Sequence, residues 1–151
     1  MSYLYDQTRR SWETIWQHAS VESELEVLEQ RRTCETLGVY PAYLPKDGII
    51  LEAGCGLATV VMKLRGMGFT MIGLDYAENA LHAARAYEPA LSLQAGDVHA
   101  LPYRDSSLHG YLSFGVLEYQ SQSETPSGKR IENRHGCCGP VPQRTVRGTW
   151  L

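Results

Sequence analysis

One short stretch constrains this chain more than any other. The apolar run Ile49-Ile50-Leu51-Glu52-Ala53 passes directly into Gly54-Cys55-Gly56, and residues 57–66 then repeat apolar side chains at helical spacing through Leu57, Val60, Val61 and Leu64. A buried strand, a glycine turn and a helix follow in that order. Glycines at 54 and 56 let the backbone turn sharply and let a ligand come close to the main chain. The helix start behind the turn offers N–H groups with no partner inside the helix. Alone, such a turn is a generic nucleotide-site signal, or simply a tight turn.

The flanking sequence repeats the pattern. Phe69 to Leu74 reads as a second strand stopping at Asp75, and the Ala- and Leu-rich residues 77–88 as a helix. Leu91 to Ala95 reads as a third strand, closed by Gly96-Asp97. After the polar loop Arg104-Asp105-Ser106-Ser107, Leu108 to Phe114 reads as a fourth. Strands alternating with helices predict an α/β fold with a partial sheet of about four parallel strands. Upstream, residues 8–37 read as helical, with Trp12, Ile15, Trp16 and Ala19 on one stripe, Leu25, Leu28 and Leu37 continuing it, and Ser23 and Glu26 as a capping box. Pro41 and Pro45 end that stretch. The expected organisation is a helical cover over 1–47, a Rossmann-like half over 48–119 and an atypical, disordered tail over 120–151.

Three carboxylates mark the site. Asp75 ends the second strand 19 residues beyond Gly56, where it can accept from both hydroxyls of a ribose. Asp97 ends the third strand, where it can accept from an exocyclic amine. Glu52 precedes the first glycine. Such a site suits a cationic, phosphate-free ligand better than a dinucleotide. Thr59 stands where a G-x-G-x-x-G dinucleotide turn needs its third glycine, which argues against a nicotinamide-dependent dehydrogenase. Asp75 also reads as a helix cap and Asp97 as a turn residue. Trp12 and Trp16 suit either a substrate pocket or the core, Tyr76 either a site or a surface position, and Cys55 a packed small residue.

Charge and composition exclude other classes. Residues 1–119 carry 9 Lys/Arg against 15 Asp/Glu, a poor match for a nucleic-acid backbone. Residues 120–151 carry 5 against 2, too scattered to define an anion site. No stretch approaches the ~20 apolar residues that span a bilayer, and the N-terminus lacks a signal-peptide pattern, so no membrane partner and a cytoplasmic location are expected. His18, His82 and His99 have no partner pattern for a metal or a catalytic triad, and His135 with the adjacent Cys137 and Cys138 makes a poor metal set, so none is expected.

Taken together, Leu51-Glu52-Ala53-Gly54-Cys55-Gly56, Gly73-Leu74-Asp75-Tyr76, Gly96-Asp97-Val98-His99-Ala100-Leu101-Pro102-Tyr103 and Ser113-Phe114-Gly115-Val116-Leu117-Glu118 resemble the motif series of class I S-adenosylmethionine-dependent methyltransferases. They look most like the small-molecule branch that includes ubiquinone- and menaquinone-biosynthesis enzymes. The resemblance implies S-adenosylmethionine as cofactor and a small-molecule methyl acceptor. It implies that Gly54, Cys55 and Gly56 pass under the methionine moiety, that Asp75 holds the ribose and that Tyr76 packs on the adenine. It further implies that Asp97 and Val98 bind the adenine edge and that Phe114 and Gly115 face the acceptor. Glu118 is the best-placed candidate for a general base. Ala58 stands where the family frequently has a third glycine, and His109 where it often has Asp.

The tail departs from that series. Residues 120–151 hold four aliphatics, Ile131, Val141, Val146 and Leu151, among seven Gly or Pro. No strand or helix period is sustained there, and further strands that the resemblance implies are not legible. The chain reads as truncated or frameshifted after about residue 119, with the fourth strand left as an exposed edge. The expected function is, by resemblance, methyl transfer to a small-molecule acceptor, with a fragment that at best binds cofactor as the alternative.

Overall fold

The structure is a computed structural model that describes residues 3–30, 40–114 and 137–140. Helix α1 spans Tyr3–His18 and α2 spans Val21–Gln30. Among the described residues, the expected single helical stretch is therefore broken at Ala19-Ser20 into two helices. The break is held by a reciprocal cap one turn earlier than the sequence reading placed it. The Ser23 N–H donates to Ser20 Oγ at 3.1 Å, and the Ser20 N–H donates to Ser23 Oγ at 3.3 Å. Ser20 takes the capping position that the reading gave to Ser23, because a hydroxyl at the third helical position can reach back to it. Leu37 lies outside the described residues.

The sheet begins with β1, Ile49–Ala53, followed by α3, Thr59–Gly66, then β2, Thr70–Asp75, and α4, Glu78–Tyr87. Strand β3 covers Leu93–Ala95, β4 Gly110–Ser113 and β5 Cys137–Pro140. Sheet order is β3-β2-β1-β4-β5. The first four strands are parallel, as the sequence predicts, and β5 pairs antiparallel with β4. The exposed-edge expectation for β4 is thus corrected. Its outer hydrogen-bonding side meets Cys137–Pro140, a short stretch without the alternating pattern by which strands are recognised. The third strand starts two residues later than read, since Leu91 is a buried core residue reached through the turn from Glu88.

Side chains alternate across the sheet. One face carries Ile50, Met71 and Leu112 against α3, α4 and the N-terminal helices, joined by Leu57, Val61, Leu64, Ala80, Leu81 and Ala84. The other face carries Leu51, Ala53, Leu74 and Tyr111, packed by Leu108, Val98, Leu101 and Tyr103 from the loops around β3 and β4. Helix α3 stops where Gly68, at φ +92°, donates to the Arg65 carbonyl and Phe69 to the Leu64 carbonyl, a paired C-terminal closure that needs a left-handed residue. Asn79 Nδ2 donates to the Glu13 carbonyl at 2.9 Å, tying α1 to α4.

Candidate functional site

The glycine turn is fixed to the end of β2 from two sides. The Gly54 and Cys55 N–H groups both donate to the Leu74 carbonyl, at 2.7 and 3.1 Å. Asp75 Oδ2 accepts the Gly56 N–H at 2.8 Å, and its Oδ1 accepts the Ala77 N–H at 2.8 Å. One carboxylate thus joins the turn after β1 to the start of α4. Burial raises its pKa, and bonds from the Ala77, Gly56 and Tyr76 backbones oppose the rise. Each oxygen keeps a further lone pair for a hydroxyl donor. The two sequence readings of Asp75, as a ribose carboxylate and as a cap, are compatible in this geometry.

Glu52 sits on the same sheet face, because it pairs with Gly73, two residues before Asp75. Its side chain is 3% exposed and accepts a hydrogen bond from the Val61 backbone in the first turn of α3. That bond replaces a missing cap. Ala58 holds the helix start in a left-handed conformation, φ +58° and ψ +26°, with no side-chain hydrogen bond of its own. Glu52 Oε2 is buried without a partner. Burial first, and Asp75 in addition, push the Glu52 carboxyl from 4.5 to about 8, against the lowering effect of Val61. Cys55 is buried beside the pair, and burial first, then Glu52 and Asp75, hold its thiol well above its usual range. It therefore packs as a small neutral group.

Two residues gain a reason that sequence spacing alone did not supply. A Cβ on Gly73 would lie 2.8 Å from Cys55 Sγ and 2.7 Å from Leu93 Cδ2, so only glycine fits beneath the turn. A Cβ on Gly56, at φ +49°, would lie 2.5 Å from the Trp16 ring. Trp16 therefore seats α1 directly on the glycine turn, and Trp12 stacks on it with ring centroids 5.8 Å apart. Only the pairing of helix α1 with this turn reveals that role, since the periodicity of α1 is equally that of a core helix.

The remaining candidates divide. Asp97 Oδ1 accepts the His99 N–H at 2.8 Å, closing a turn at the end of β3. Tyr76 packs against the helix-side core and Val98 against the other face. Phe114 also packs on the helix side and meets Tyr40 with centroids 5.3 Å apart. Gly115 and Glu118 lie outside the described residues. His109, which stands where the resemblance often has Asp, accepts the Ile49 N–H at its Nδ1 at 3.1 Å. Among the described residues, no group of three or more His, Cys, Asp or Glu is placed to hold a metal ion, and no helix is long and apolar enough to cross a membrane.

A strand-end carboxylate pair, a glycine turn between them and a helix start capped from within the sheet suit a cationic ligand whose chain runs over the turn. The comparisons agree. The profile of a family described as methyltransferase domain matches residues 50–130. A protein of Mycolicibacterium smegmatis named as a probable S-adenosylmethionine-dependent methyltransferase is 33% identical over 70 residues, 46% of this chain and 27% of that protein. The matched part is thus well under half the length of that relative. Phosphoethanolamine N-methyltransferase 1 of Haemonchus contortus, solved with phosphoethanolamine and S-adenosylhomocysteine, superposes with a TM-score of 0.57 at 18% identity over 74% of this chain and 26% of that one. Geranyl diphosphate C-methyltransferase of Streptomyces coelicolor, solved with Mg2+, geranyl diphosphate and S-adenosylhomocysteine, gives 0.57 at 14% identity over 76% and 55%. At such identities the structural likeness speaks for the fold. Family profile, sheet order and turn coincide, and the chain belongs to the methyltransferase-domain family, with the Rossmann-like fold and the cofactor S-adenosylmethionine of its S-adenosylmethionine-dependent members.

Proposed function

We propose that this chain holds S-adenosylmethionine over the Gly54–Gly56 turn for methyl transfer to a small-molecule acceptor, in the cytoplasm and without a metal. The observation that carries the reading is the pair of buried carboxylates, Glu52 and Asp75, that flank the turn on one sheet face. A pyrophosphate over the same turn would meet two carboxylates and lose the attraction on which dinucleotide sites rely. When bound, the cofactor supplies an electrophilic methyl group on a positively charged sulfur.

The chain's own residues then bind and align. Gly54, Cys55 and Gly56 offer close backbone approach, and Asp75 directs its remaining lone pairs at the ribose hydroxyls. Tyr76 packs on the adenine, while Asp97 and Val98 meet its edge. In this reading Phe114 and Gly115 border the acceptor, and Glu118 is the candidate general base for its proton. Trp16 walls the turn and limits water there. Holding acceptor and methyl group in line contributes several kcal/mol to rate without covalent help from the protein.

Calorimetry with S-adenosylmethionine, S-adenosylhomocysteine and NAD tests the reading. It requires the first two to bind more tightly than NAD. Tighter NAD binding overturns it. Methyl transfer to a panel of small acceptors then separates an active enzyme from a chain that binds cofactor without turning over.

A further inference from the structure

Glu52 and Asp75 lie on neighbouring parallel strands, two register steps apart on one face, and both are nearly excluded from water. Each accepts a backbone N–H at a different corner of the same turn. Asp75 grips Gly56 and the approach to α4, and Glu52 grips the first turn of α3. Asp75 has both oxygens engaged, whereas Glu52 leaves Oε2 buried without a partner. Among the described residues, the titratable groups facing Glu52 are Asp75 from β2 and Cys55 from the turn, with Arg85 of α4 acting on Cys55. Strand β4 presents the apolar Leu112 opposite it. No cation among these directly offsets a second negative charge.

We propose that Glu52 and Asp75 form one carboxylate pair that holds a single negative charge when the site is empty, that a sulfonium ligand over the turn draws out the second, and that the pair thereby distinguishes S-adenosylmethionine from its uncharged-sulfur product. The proton stays on Glu52, whose raised pKa agrees with the orphaned Oε2, while Asp75 carries the charge that its N–H donors favour. Two carboxylates buried on one face of neighbouring strands cannot both ionise cheaply, and coupled groups of this kind lose their protons in linked steps. A positive ligand nearby lowers the second step, so Glu52 loses its proton to solvent on binding. Glu52 acts here as a positioning and discriminating residue through the turn, without touching the reacting atoms. The inference rests on the cofactor reading above and deepens it.

The direction in pH follows. Below about pH 7 binding requires proton release and is weaker, and above the Glu52 value it no longer does. A displacement of one pH unit by the ligand changes affinity about tenfold across that window. The thioether product lacks the sulfonium charge and gains less.

The test is calorimetry on the full chain in two buffers of different ionisation enthalpy, across pH 6 to 9, with S-adenosylmethionine and S-adenosylhomocysteine and with Glu52→Gln beside the parent. Both ligands carry an α-amino group that titrates, and the variant subtracts that contribution. The expected result is proton release with S-adenosylmethionine in excess of that with S-adenosylhomocysteine, a ratio of affinities that rises about tenfold with pH, and loss of both in Glu52→Gln. Equal proton release with the two ligands, a flat ratio in the parent, or unchanged proton release in the variant overturns the pair. Should Glu52→Gln fail to fold, the parent's own proton count with the two ligands still decides. If neither ligand binds the parent, the cofactor reading itself falls, and a bound ligand without differential proton release sinks this inference alone.

Discussion

The two faces of the sheet differ in kind. Among the described residues the helix face is closed by four helices, and its strand-end positions are Glu52, Gly73 and Asp75, every one tied to the glycine turn or shaped by it. The opposite face is covered among the described residues by loop side chains, chiefly Leu101, Tyr103 and Leu108, and it holds two buried hydroxyls without partners, Tyr103 OH and Ser113 Oγ. The same strands thus present chemistry on one side and little but packing on the other. Because alternate residues face opposite ways, a strand can carry a polar site on one face without interrupting the apolar series on the other.

The largest effect that sharpens this comparison concerns pH. Glu52 has a folded-state pKa of about 8 against an ordinary 4.5, so the folded state retains its proton over that window. Its contribution is fully present below pH 4.5 and is lost as pH rises through 8. The loss is on the order of 5 kcal/mol at the alkaline end. Denaturant unfolding of the parent and of Glu52→Gln should therefore converge in acid and diverge towards pH 8, with the parent losing ground. Parallel curves would move Glu52 from the buried interior to a solvated position.

Next come the two apolar series. Ile50→Ala, fully buried under the helices, should cost about 3–4 kcal/mol, and Leu51→Ala, fully buried on the loop side, about 2–3 kcal/mol, because a face covered by loops collapses more readily into a cavity. Equal losses would show the second face to be packed as firmly as the first. Gly56→Ala should cost about 2–3 kcal/mol, from left-handed strain together with the Trp16 clash. It should also weaken cofactor binding. Adding Trp16→Ala relieves the clash but not the strain, so thermal melts of the double variant should recover part of the Gly56→Ala loss. No recovery would remove Trp16 from the turn.

Asp75→Ala should lower cofactor affinity by about 2–3 kcal/mol, the worth of a charge-assisted hydrogen-bond pair, and should loosen the Gly56 and Ala77 N–H groups to hydrogen exchange. Retained protection at both amides would contradict the clamp. The smallest change is Ala58→Gly. Relief of its left-handed conformation and loss of a fully buried methyl nearly offset, so melting should shift stability by less than about 1 kcal/mol.

How much of this was legible beforehand varies with the range of the interactions. The strand-turn-helix around Gly54 and Gly56 is a local pattern, and its glycines indeed adopt positive φ. The strand ends at Asp75 and Ala95 were equally readable, since an apolar run terminates at a turn residue. The Ser20–Ser23 cap was misassigned because two serines three apart and a Ser–Glu pair three apart both fit a capping box, and only the helix break distinguishes them. Strand β5 was illegible, because a four-residue strand containing Gly and Pro gets its conformation from the edge it pairs with.

By itself the sequence determined the order of elements, the parallel sheet and the carboxylates at 52, 75 and 97, since each follows from short-range periodicity and from residue types at fixed spacing. Only the tertiary structure decided that Glu52 caps α3 across the sheet, that Asp75 grips Gly56, that Trp16 rests on that glycine and that β4 is paired on its outer side. Those contacts join different elements of the fold. Their strength comes from burial and low local polarisability, which exist only after the helices have closed over the sheet.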